Sequence, residues 1–422
     1  MTNDPGDRFT LLTADRLIDG TGAPPIERGA VLIKDDSIVA AGPRDTVIPP
    51  DGAPLDAHHY PHATVLPGLI DSHVHLIGIG DGRTGDQLVT LPDEILTLQA
   101  AENSRRHLHS GVTTVRDCGA KNRTTFHLRQ AMDMGIATGP RLLLSGRPMA
   151  IIGGHLSYFG IQATGVDECR AAVRQLIKEG ADFIKITATG GSTATSHPFV
   201  PSFNVDELTA IIEEAHKFGK HAAAHCASSQ GMVNCLDAGI DTIIHAYFKE
   251  PDGTWLYRPE ITDRIVERGV FVNPTMHQAR NRLWRLEHKA ENGGLTPDEQ
   301  ADLDEGMRLQ EIRFDHVARM VNAGVRLAAG SDAAWSYLPL GTFQHEIQAH
   351  TEAGLSPLEA IVSATGDAAK SCWAHDRLGS LQPGKLADLL VVHGDPSRDI
   401  DALSNVLDVF KDGARVDRGD LV

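Results

Sequence analysis

Two histidines one residue apart, His73 and His75, close the apolar run Val65-Leu66-Pro67-Gly68-Leu69-Ile70-Asp71-Ser72. If residues 69–75 form a β-strand, both imidazoles leave the same face, because side chains alternate sides with a period of two. Two imidazoles on one face make half of a metal site. The rest of the chain offers four more side chains able to complete it, Lys185, His225, His245 and Asp332, each closing an apolar run that follows a helical pattern. Neutral imidazoles, a carboxylate and a lysine together suit a borderline cation such as Zn2+. The chain holds 21 histidines, so any one alone reads equally as a core or surface residue. Recurrence at corresponding strand ends is what selects these.

The elements that position them repeat. An amphipathic helix ends near a glycine and an apolar strand starts within a few residues, at Gly111, Gly180, Gly219, Gly239, Gly269 and Gly324. Glycine recurs there because the residue after a helix usually turns left-handed, which a Cβ penalises. The helical period shows in Val173, Leu176 and Ile177, and again in Leu208, Ile211, Ile212 and Ala215. With strands over 69–75 and 141–145 the count reaches eight, which predicts an α/β fold, a (β/α)8 TIM barrel. Catalytic groups of such a barrel stand at the C-terminal ends of its strands. A doubly wound open sheet is the alternative, but its nucleotide-type glycine-rich turns are missing.

Both ends of the chain read as short strands and turns: 8–13, 30–34 and 37–41 at one end, 389–392 and 406–410 at the other. A hairpin turn is expected at Asp35-Asp36. These segments predict a small β-sandwich domain built from residues 1–64 and 373–422, flanking a barrel over 65–372. A length of 422 residues suits one large domain with a smaller satellite. No apolar stretch approaches the roughly 18–20 residues that span a bilayer. The start, Met1-Thr2-Asn3-Asp4-Pro5-Gly6-Asp7, is acidic and turn-prone, without the pattern of an export signal. Cys118, Cys169, Cys226, Cys235 and Cys372 are scattered and odd in number, as expected of reduced thiols in a cytoplasmic protein. A net charge of −17 argues against nucleic acid or an anionic membrane as partner.

Pro67-Gly68-Leu69-Ile70-Asp71-Ser72-His73-Val74-His75, the histidines at 225 and 245, and Gly330-Ser331-Asp332 resemble the amidohydrolase superfamily. The resemblance runs on through the tail Gly379-Ser380-Leu381-Gln382-Pro383-Gly384-Lys385-Leu386-Ala387-Asp388-Leu389. Phe183-Ile184-Lys185-Ile186 followed by Gly190-Gly191 looks like its prolidase-like branch, which holds dipeptidases, carboxypeptidases acting on N-acyl amino acids, and ochratoxin-type amidases, with imidazolonepropionase a related member. A lysine ammonium beside metal ions would be repelled and desolvated. The similar enzymes carbamylate that amine with CO2, making it an anionic bridge (N6-carboxylysine) between two metals. Lysine snorkelling to the rim, or orienting substrate as a cation, is the plainer reading. The resemblance implies one buried metal on His73, His75, Lys185 and Asp332, and a more exposed one on Lys185, His225 and His245. It further implies attack on a small amide substrate, such as a dipeptide or N-acyl amino acid, by a hydroxide bridging two divalent ions, most simply Zn2+. Asp332 would serve as general base and then acid.

Mononuclear deaminases of the superfamily carry a Glu three residues after the strand-five histidine, where this chain has Ser228; deamination is disfavoured. Hydrolysis of a cyclic amide, carbamate or urea is the rival activity, and a binding protein with an eroded site the non-enzymatic one. His155 is placed to hold a substrate carboxylate or an oxyanion, or else to face water. Tyr247 either donates to the oxyanion or packs under the barrel mouth. The run 187–193 supplies backbone donors near Lys185, whereas Cys226 should point into the core. An insertion over 277–307 is placed to cover the pocket or to meet a second subunit, since barrels of this type are often homo-oligomers. The glycine-rich loop 78–85 lies just beyond the histidine pair, where loops tune specificity.

Overall fold

The computed structural model describes residues 8–419, and the acidic heptapeptide before Arg8 lies outside them. The six junction glycines all have positive φ, between 65° and 108°. At Gly180 the helix Gly165–Glu179 closes with Ala181 N–H donating to Leu176 O and Gly180 N–H to Ile177 O, both at 3.0 Å. That helix buries Val173 and Leu176, and the helix Val205–Lys217 buries Leu208, Ile211, Ile212 and Ala215, the faces expected from their periodicity. Each helix returns the chain to a parallel strand.

Leu69–Val74, Val112–Asp117 and Arg141–Leu144 pair in parallel in one sheet. Met149–Ala150, Ile184–Thr187, Ala222–Ser228, Thr242–Lys249 and Phe271–Asn273 follow in sequence order in another, with Ile161–Gln162 at its edge. Asp182 N–H donates to Leu144 O at 2.7 Å between the two sheets. The strand expected over 325–329 is an extended segment with one parallel bridge, Val272 to Leu327. Its ladder is divided: Ala328 N–H donates to Val272 O and Ala329 O accepts from Ser72 N–H, while Ala329 N–H turns away to Ser363 O.

The chain ends share one hydrogen-bonded sheet of eight strands. Its axis is Leu55–Pro67, parallel to Phe9–Leu17 on one side and antiparallel to Leu389–His393 on the other. Leu12, Val31, Val65, Leu389 and Val391 cluster on one face of it, Phe9, Leu32 and Val47 in a second cluster. The sheet passes through Gly68 into Leu69–Val74, and a Cβ at Gly68 would stand 2.2 Å from Thr113 Oγ1. Only glycine lets the two strands cross so closely.

The insertion is two helices, Met276–Gly293 and Pro297–Asn322, packed through Leu283, Leu286 and Leu303. The second runs well past residue 307 to lead into Gly324. No helix among the described residues is long and apolar enough to cross a membrane.

Candidate metal centre

The strand Leu69–Val74 carries His73, and His75 follows one residue past its end. Both rings are held by their Nδ1 atoms. His73 Nδ1–H donates to Asn273 Oδ1 at 3.1 Å, and the Asn273 amide is fixed in that orientation because its Nδ2 donates to Ala328 O at 2.7 Å. His75 Nδ1–H donates to Gly119 O at 3.0 Å. Each imidazole therefore keeps Nε2 as a free lone pair. Both point at Asp332, with Oδ1 3.3 Å from His73 Nε2 and 3.4 Å from His75 Nε2.

Asp71 sets the Asp332 segment against the histidine strand. Its Oδ1 accepts from the backbone N–H of His73 and of Ser331, and its Oδ2 from Ser331 Oγ and His107 Nε2. A Cβ at Gly330 would stand 2.8 Å from the His73 backbone nitrogen, so glycine permits this approach. Asp332 has a φ of 55° and His245 one of 71°. Non-glycine residues seldom adopt that region and each costs about 1–3 kcal/mol, strain that concentrates at functional sites.

The remaining predicted residues converge on the same point. Lys185 Nζ lies 3.3 Å from His73 Nε2. The His225 and His245 rings are 4.6 Å apart, and His245 is 5.7 Å from His73. His245 Nδ1 pairs with Thr275 Oγ1 at 2.7 Å, and His225 Nε2–H donates to Gly190 O at 3.0 Å, leaving Nδ1 as its free donor atom. All six residues are buried, and together they line one cavity of about 730 Å3.

Burial, and after it the Lys185 charge, pushes His75 down to about 3; His73, His225 and His245 are likewise held well below the ordinary histidine range, first by burial. Neutral imidazoles are the form that binds metal. Burial raises the Asp332 carboxyl to about 7, against the attraction of Lys185 and with repulsion from Asp71. Burial also lowers Lys185, which favours its free amine. His73, His75 and Asp332 form the one cluster of three potential ligand atoms within 4.8 Å of each other among the described residues. Free lone pairs, fixed rings and burial fit a divalent cation.

His155 is buried with its ring 4.4 Å from His225 and its Nδ1 3.0 Å from Thr193 Oγ1. The glycine loop matters to it, since a Cβ at Gly191 would stand 2.7 Å from that ring. Tyr247 lies 5.1 Å from the His245 ring and faces the cavity. Residues 82–86 and both insertion helices also contribute to the wall. Cys226 is buried in the core, as expected, and all five cysteines are free. Sequence reasoning missed Asn273, Thr275 and Trp335, whose ring is 4.9 Å from His75. It also missed Lys249 and Arg313 on the cavity wall.

Residues 64–416 match the model of the Amidohydrolase family, and the chain belongs to it. It is a hydrolase acting on C–N bonds. Ochratoxinase of Aspergillus niger is 27% identical over 433 residues, covering 93% of this chain and 83% of that one. The solved structure of the Aspergillus niger ochratoxinase superposes with a TM-score of 0.82 at 26% identity, covering 97% and 96% of the two chains. A Xaa-Pro dipeptidase with methionine bound in its active site superposes at 0.81, with 29% identity and coverage of 97% and 99%.

Proposed function

We propose that the chain cleaves the amide bond of a small substrate, a dipeptide or an N-acyl amino acid, and frees an amino acid. Ochratoxinase and a Xaa-Pro dipeptidase, both of comparable length and likeness, support that choice. The reading takes residues 65–372 as a closed (β/α)8 barrel, with residues 1–64 and 373–422 as its satellite.

The observation that carries it is the convergence of His73, His75, Lys185 and Asp332 within 3.3–3.4 Å contacts in a buried pocket. His73, His75, Lys185 and Asp332 would hold one divalent cation, and Lys185, His225 and His245 a second, most simply both Zn2+. Bound there, such cations supply a water of strongly lowered pKa and polarise a carbonyl. The lysine would take part as its carbamate: the free amine, favoured by burial, adds to the carbon of CO2 and releases a proton. Asp332 takes the proton of the attacking water and passes it to the leaving nitrogen, as general base and then acid. His155 and Tyr247 lie beside His225 and His245, where charge develops on the former carbonyl oxygen.

The test is a screen of the zinc-loaded protein against N-acyl amino acids and dipeptides, read as liberated amino acid, with cyclic imides and phenylureas in parallel. Release of amino acid is expected. Ring opening or urea cleavage alone would replace this reading with the rival one.

A further inference from the structure

Two cations on the cavity wall have no anionic partner. The strand Thr242–Lys249 slips register against Ala222–Ser228 between Cys226 and Ser228, and beyond the slip both Tyr247 and Lys249 line the cavity. The Lys249 ammonium is boxed by three rings, Trp255, Tyr247 and Phe199, at 5.1, 5.3 and 5.7 Å from their centres. It makes no ion pair or hydrogen bond among the described residues. Arg313, on the second insertion helix, lies over the same tyrosine, its Cζ 4.4 Å from the ring centre. One arm of that guanidinium donates to Pro274 O and Thr275 O, and it too meets no carboxylate.

Among the described residues, none of the acids lining the cavity pairs with either cation. Asp332 belongs to the metal centre, Asp302 pairs with Arg282 at 2.5 Å, and Asp86 sits in the first turn of the short rim helix Gly85–Leu88. Two largely buried cations without a counter-charge are costly unless a ligand brings one. That the pocket is cationic in a chain of net charge −17 points the same way.

We propose that Lys249 and Arg313 form the subsite for a substrate carboxylate, that of the amino acid released, and so restrict the enzyme to amides bearing a free C-terminal carboxylate. This rests on the proposed amide hydrolysis and names the residues that would hold the carboxylate of its substrate. The spacing agrees. The Tyr247 ring stands 5.1 Å beyond that of His245, and both cations lie within 5.3 Å of its centre. In an N-acyl amino acid the carboxylate carbon is three bonds from the scissile carbonyl carbon, at most about 3.8 Å away. A substrate whose carbonyl sits at the metal centre carries its carboxylate into the cavity that both cations line, where the planar guanidinium can take both oxygens.

The test uses the metal-loaded protein and two readouts. Binding is measured calorimetrically with ketomethylene analogues of N-acetyl-L-leucine and N-acetyl-L-phenylalanine, in which a methylene replaces the scissile nitrogen, each as free acid and as carboxamide. Turnover is measured on the matching amides. The acid is expected to bind about 30-fold or more tighter than the carboxamide. The preference should collapse in Lys249→Met and return in Lys249→Arg; Arg313→Gln should reduce it too. Arg313 also holds two carbonyls, so if that variant does not fold the Lys249 pair decides. Equal binding of acid and carboxamide, no binding of either, or an unchanged preference in Lys249→Met overturns the assignment. Acid-selective binding without turnover would uphold the subsite and sink the hydrolase reading. Turnover indifferent to the carboxylate would do the reverse.

Discussion

Asn273 stands 200 positions along the chain from His73, yet its Oδ1 accepts the proton on Nδ1 of that imidazole at 3.1 Å. The bond fixes both the tautomer and the tilt of the ring. Asn273→Ala is expected to weaken metal binding about 10- to 100-fold, while Asn273→Asp, which keeps the acceptor for the imidazole but sets its second oxygen against Ala328 O, should lose less. Chelator competition on the two variants separates them.

Asp332→Asn keeps an oxygen toward the two Nε2 atoms but can neither accept nor return a proton. Metal content by elemental analysis should stay near that of the wild type. The rate kcat should fall about 10²- to 10⁴-fold, the range of general acid–base assistance. Normal turnover in this variant would remove Asp332 from proton transfer.

Lys185 is fully buried with its Nζ 3.3 Å from His73 Nε2, a poor place for an ammonium if cations bind as proposed. Lys185→Ala should bind little metal. Protein grown and loaded with 13C-bicarbonate should show a carbamate carbon signal that the variant lacks. A metal-replete, fully active Lys185→Ala enzyme is the result that rules the modification out.

A side chain at position 191 would strike the His155 ring, so Gly191→Val should push that ring off His225. With the metal ligands untouched, metal content should hold while kcat/KM drops at least about tenfold. Loss of metal instead would mean that the loop supports His225 through Gly190 O.

Glu346 is buried and accepts from the backbone N–H of Met276 through Oε1 and of His277 through Oε2. Burial pushes its pKa up, but the His350 contact and those two N–H groups outweigh it, and the net shift is downward. A carboxyl held below its unfolded value stabilises the fold at all pH above that value, near 4.5, and the gain is lost as pH falls through the folded pKa. Glu346→Gln turns an NH2 toward a backbone donor and should cost about 1–3 kcal/mol at pH 7. Melting curves should show a smaller difference between variant and wild type below pH 4. Since Asn273 and Thr275 lie just before this helix start, metal affinity should fall as well.

Five of the site residues were legible in the sequence because each sits on a strand or at its end, and Asp332 because it follows the apolar segment 325–329; such runs announce themselves after glycine-capped helices. Their supports were not. Asn273 and Thr275 matter through partners 200 and 30 positions away, and nothing local marks an asparagine as the one that grips an imidazole. Lys249 and Arg313 reach the cavity through a strand irregularity and through a helix that extends beyond the expected insertion. The terminal segments were recognised as strands, but single-sheet pairing depends on long-range register, such as Val65 opposite Val391, which periodicity does not encode.

The central strand of the terminal sheet and the strand bearing His73 are separated only by Gly68, and the former is zipped to Leu389–His393. The tail thus acts as a splint on the first ligand strand, though it stands far from any chemistry. Trimming the polypeptide back to its α/β portion would free one side of that splint. The shortened protein would lose the alignment of His73 and His75 before it lost its helices.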